Sequence, residues 1–80
     1  MENTKGYTPG QYVIGESLEE GDYLLKPESG LMGSIEMFED YDHFVAEDSF
    51  FYANFSSEYR AVLRKKGVLV VISDARFSKI

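Results

Sequence analysis

Apolar and polar residues alternate with a period of two through most of this 80-residue chain, which predicts strands rather than helices. The clearest stretch is Glu58–Ile72. Its first arm places Tyr59, Ala61 and Leu63 on one face and Arg60, Val62 and Arg64 on the other. Lys65-Lys66-Gly67 supplies a turn in which Gly67 can take a positive φ. The second arm, Val68-Leu69-Val70-Val71-Ile72, is apolar on both faces, as a central strand requires. The two arms are therefore predicted to pair as a β-hairpin.

Upstream, Tyr12-Val13-Ile14 predicts a short strand stopped by Gly15, and Asp22–Lys26 a second one that starts after Gly21 and ends at Pro27. Glycines and serines bracket Leu31-Met32 as a loop, after which Ser34–Phe38 alternates again. Glu39–Asp48 carries Tyr41, Phe44 and Val45 at helical spacing, with Asp40 or Asp42 able to cap one turn, so it is a turn with helical character. Ser49–Phe55 is a strand with Phe51, Ala53 and Phe55 on one face and Phe50, Tyr52 and Asn54 on the other. Ser73-Asp74 turns the chain into a last strand in which Ala75 and Phe77 alternate with Arg76 and Ser78. About seven short strands and no long helix predict an all-β fold, either a small antiparallel sandwich or a partly open barrel, with the last strands lying centrally. Met1–Gly10 is polar, with Gly6, Pro9 and Gly10, and is expected to be a flexible lead-in or linker to a single β domain over residues 11–80.

Composition narrows function mainly by exclusion. The chain has no cysteine, so disulfides, thiolate metal sites and a cysteine nucleophile are ruled out. No apolar run approaches the roughly 20 residues that span a bilayer, and no membrane insertion is expected. The net charge of −6 opposes general nucleic-acid binding. The charge is also uneven. From Met1 to Glu58 there are 13 acids against Lys5 and Lys26, whereas Tyr59–Ile80 carries six bases against Asp74 alone. Neighbouring acidic and basic strands would neutralise each other; otherwise the bases form a face for an anionic ligand.

Four side chains are candidates for binding. Phe50 and Tyr52 cannot share the face that Phe51 and Phe55 bury, so they either cover the second face of a sandwich or form a platform for a protein, a glycan or a second copy of the chain. Arg60 and Arg64 point the same way along the basic strand. His43, the sole histidine, would have to serve any acid–base scheme, and none of the eight serines lies in a nucleophile-elbow context; no enzyme activity and no cofactor is expected. Asp40, Asp42 and Asp48 belong to the densest acidic cluster and could offer oxygen ligands to a hard cation. Their spacing lacks the glycine and terminal bidentate glutamate of an EF-hand loop, so turn caps and solvated acids are the reading adopted and no metal is expected.

Tyr12-Val13-Ile14-Gly15, then Leu18, then Gly21-Asp22-Tyr23 resembles a small β-module recurrent in secreted and envelope proteins of Gram-positive bacteria, whose pattern is Tyr-x-Val-Gly-x2-aliphatic-x2-Gly-x-Tyr. Here isoleucine stands between the valine and the glycine. Tyr59–Val70, with Leu63 before the turn and Gly67 within it, is similar to that module's closing tyrosine-rich hairpin, and Ala75-Arg76-Phe77 to its terminal Ala-x-Phe. The resemblance implies an interaction or spacer module of an envelope-associated protein and no catalytic residues. It also implies a preceding export signal, which Met1–Gly6 does not supply. Two settings follow: an extracellular or envelope domain if this is an excised module, or a free-standing cytoplasmic protein if Met1 is the native start.

Overall fold

The computed structural model describes residues 6–80. It is an all-β sandwich of two four-stranded antiparallel sheets that do not close into a barrel. The strands are β1 (Gly6–Tyr7), β2 (Gly10–Val13), β3 (Gly21–Pro27), β4 (Gly33–Phe38), β5 (Phe51–Phe55), β6 (Tyr59–Leu63), β7 (Leu69–Ser73) and β8 (Ala75–Lys79). One helical turn, α1 (Tyr41–Val45), joins β4 to β5. The first sheet runs β1-β8-β3-β6 and the second β2-β7-β4-β5. Of the consecutive strand pairs, only β4 and β5 share a sheet, so every other connection carries the chain across the sandwich. The pairs β1–β8, β2–β7, β3–β6 and β4–β5 nest inside one another, the strand order of a jelly roll.

The predicted hairpin is not formed. β6 pairs with β3 in one sheet, placing Ala61 opposite Tyr23, while β7 pairs with β2 and β4 in the other, placing Ile72 opposite Ile35. The local pattern correctly marked two strands and a turn, but the turn is a crossover. Gly67 does adopt φ +90°, yet its N–H donates to the Ile14 carbonyl (2.9 Å), and the Ile14 N–H donates to the Val68 carbonyl (3.0 Å). The turn is thus tied to the end of β2 rather than closing β7 onto β6. The composition of β7 explains its choice. Val70 and Ile72 face the core, while Leu69, also buried, lies beside Phe38 on the other face, so the strand needs neighbours on both edges and cover on both faces.

Backbone pairing also starts earlier than Gln11. Part of the expected lead-in, residues 1–5, lies outside the described residues; beyond it, Gly6 pairs with Ser78 and Tyr7 with Phe77. This makes eight strands among the described residues. β7 and β8 are both interior strands, as the sequence suggested.

The core lies between the sheets. Leu25, Leu63, Val70, Ile35, Ile72 and Ala75 are fully buried there. At one side Tyr7, Tyr12, Tyr23 and Phe77 form a ring cluster, Tyr7 stacked on Phe77 at 5.0 Å and the other rings meeting edge-on. The residues of the Tyr12–Tyr23 pattern shape this corner. The Tyr12 hydroxyl donates to the Thr8 carbonyl (2.6 Å) and the Tyr23 hydroxyl to the Glu19 carbonyl, each four residues back. Gly15 takes φ +89°, and Leu18 is buried beside Ile14. A smaller apolar layer sits outside the second sheet, where Phe44 of α1 meets Phe38 edge-to-face at 5.3 Å.

Candidate functional site

The unequal charge of the chain is resolved strand by strand. Asp22 accepts from Arg64 (3.1 Å), Glu28 lies 3.4 Å from Arg76, Glu19 3.1 Å from Lys79 and Glu20 3.7 Å from Lys66. Each pair joins an acid from the first part of the chain to a base near its end. The strand order dictates this, because β3 lies between β6 and β8. A continuous basic face is therefore not built. Among the described residues, Arg60 and Lys65 have no ion-pair partner.

The edges of the sandwich are where an apolar site remains open. Among the described residues β5 ends the second sheet and β6 ends the first, so each has one strand edge without a neighbour there. Between the start of β5 and the end of β6 lies a groove of about 240 Å³. Ile14, Met37, Phe51 and Val68 form its floor, and Phe50 and Val62 stand at its rim, each more than half exposed (52% and 61%). Arg64 and Lys65 line the end nearest the β6–β7 crossover. Among the described residues no carboxylate lines it. The crossover creates this groove: a β6–β7 hairpin would have put both strands in one sheet.

Of the four binding candidates, the groove brings together Phe50 and Arg64. Tyr52 and Arg60 are not part of it. Tyr52 stands on the outer face of the second sheet opposite Glu36, with its hydroxyl donating to Asn54 Oδ1 (2.8 Å), and Arg60 is on the exposed side of β6 opposite Leu24. Phe50 and Tyr52 both remain exposed, so neither is buried as cover for the sheet. Sequence reasoning missed Val62, an apolar residue on the solvent side of an alternating strand, and Lys65, read only as part of a turn. The exposed valine between two arginines was the available signal.

The acidic loop is organised by helix ends. Asp40 caps α1, its Oδ1 accepting from the His43 N–H (2.9 Å) and lying 2.7 Å from His43 Nδ1. These bonds hold the Asp40 carboxyl below its ordinary range, and the same carboxylate raises the His43 imidazole. At the other end the Glu47 N–H donates to the Phe44 carbonyl and the Asp48 N–H to the His43 carbonyl (2.8 Å), a Schellman arrangement with Glu47 at φ 58°. Asp42, His43 and Asp48 border a shallow open depression, but no group of three or more His, Asp or Glu side chains among the described residues is placed to hold a metal ion. No family model, curated protein or solved structure matches the chain.

Proposed function

We propose that this chain is a non-catalytic interaction module that engages a partner through the groove between β5 and β6, as part of an envelope-associated protein of the kind its Tyr12–Tyr23 pattern resembles. The observation that carries the reading is the groove itself. An apolar floor, buried at Ile14 and Val68 and half-buried at Met37 and Phe51, reaches the surface beside strand edges that carry no neighbour among the described residues, and an exposed phenylalanine and valine flank its mouth. A domain needing only stability would gain by covering these side chains. The chemistry supports binding rather than turnover. Among the described residues the groove has no acid, histidine, serine or threonine to move a proton or attack a substrate, and the imidazole of His43 is engaged by the carboxylate that caps its own helix.

The second setting is a free-standing intracellular protein using the same groove for a partner or a second copy. One experiment separates the two. A photo-crosslinking residue is placed at position 62 in native cells, with position 31, an exposed loop site away from the groove, as comparison. The expected result is an adduct from position 62 but not 31, carried by a species longer than 80 residues in the envelope or medium. An adduct of the 80-residue species in the cytosol would favour the second setting. Equal labelling from both positions would contradict a role for the groove.

A further inference from the structure

Resting on that assignment of the groove, we infer its occupant: an extended segment of a partner protein that adds along the free edge of β6, placing an apolar side chain in the groove and an acidic one against Arg64 and Lys65. Three features converge on this chemistry. The cavity, about 240 Å³, is below the roughly 300–1,000 Å³ of a pocket that encloses a small-molecule ligand, and suits one or two aliphatic side chains. Among the described residues no strand neighbours one edge of β6, and its open main-chain groups are what an added peptide strand requires, its alternate side chains reading the pockets beside that edge. The charge is local and opposite to that of the molecule. In a chain of net charge −6, the described residues that line the groove include two cations and no carboxylate.

Lys65 has no ion-pair partner among the described residues, and Arg64 meets Asp22 through Nε (3.1 Å) with its side chain 62% exposed. Both can therefore face an incoming carboxylate, while a basic segment would meet two like charges. A second copy of this chain fits less well, since two bodies each carrying a charge of −6 repel before they meet.

The test uses the full ¹⁵N-labelled chain and two end-blocked octapeptides, one alternating leucine with aspartate and one alternating leucine with lysine. With the aspartate peptide, amide shifts are expected at Phe50, Phe51 and Val62–Lys65, together with Val68. Binding should be at least tenfold weaker for the lysine peptide, and at least tenfold weaker for the aspartate peptide with the Arg64→Gln/Lys65→Gln double variant, whose folding is checked by its amide spectrum. Raising salt from 50 to 500 mM should weaken the aspartate peptide several-fold. Equal binding of both peptides in the groove would overturn the acidic occupant and leave the groove assignment standing. Shifts for the aspartate peptide confined to another face, or none at millimolar peptide, would overturn the proposal. Groove shifts that appear on concentrating the chain alone would replace the peptide with a second copy.

Discussion

At the scale of single residues, Tyr23 shows how one side chain joins the core to a connection. Its ring is buried against Phe77, and its hydroxyl donates to the Glu19 carbonyl. Burial, with help from Tyr7 and Glu19, pushes its pKa up to about 12. A folded-state value raised above the unfolded one means that the stability gained by keeping this phenol neutral is complete below about pH 10 and is lost as the pH climbs toward 12. Tyr23→Phe should lower stability by about 1 kcal/mol at neutral pH in a urea titration and flatten the alkaline limb; an unchanged alkaline limb would contradict the assignment. The Asp40–His43 pair works in the opposite range. The Asp40 carboxylate contributes above its ordinary value of 3.8 and is lost as pH falls through its lowered value. The His43 imidazolium contributes below 6.5 and is lost as pH rises through its raised value. The pair therefore supports α1 best in the weakly acidic range between them. In a proton NMR titration His43 should show a midpoint above 6.5 that returns toward 6.5 in Asp40→Asn. An identical midpoint in the variant would refute the pairing.

At the scale of elements, strands were legible because alternation is a local property. The inward faces Phe51, Ala53 and Phe55 of β5 and Tyr59, Ala61 and Leu63 of β6 follow directly from it. Glu39–Asp48 was ambiguous for a physical reason. A single turn such as α1 cannot sustain itself, and it persists because Asp40 caps its start, a Schellman pair closes its end and Phe44 packs on Phe38. Glu47 occupies the left-handed position of that cap, where glycine has no Cβ to clash. Glu47→Gly should therefore raise stability by roughly 0.5–1 kcal/mol in thermal unfolding; a loss of that size would mean that the Glu47 side chain contributes more than the relief of its backbone. Gly33 was not legible at all. It reads as a loop glycine, yet a Cβ there would sit 2.5 Å from the Phe55 ring and 2.9 Å from the Ala75 methyl, contacts made by residues 22 and 42 positions away.

At the scale of the molecule, the sequence specified strands and left their partners open. Alternation and Gly67 define two strands joined by a turn whether that turn folds back or crosses over, and only the competing claims of β2 and β4 on β7 decide it. The same crossover settles the charge question, setting acids of β3 and its flanking loops beside bases of β6 and β8. It also splits the candidate site, leaving Phe50 and Arg64 in the groove while Tyr52 and Arg60 face elsewhere. Binding in the groove depends on β6 and β7 lying in different sheets. The direct measurement is the set of cross-strand backbone NOEs in the ¹⁵N,¹³C-labelled protein. Contacts joining Tyr23 to Ala61, Ile35 to Ile72 and Tyr12 to Val70 are predicted. A ladder joining Val62 or Leu63 directly to Leu69 or Val70 would restore the hairpin, close the groove and contradict the account.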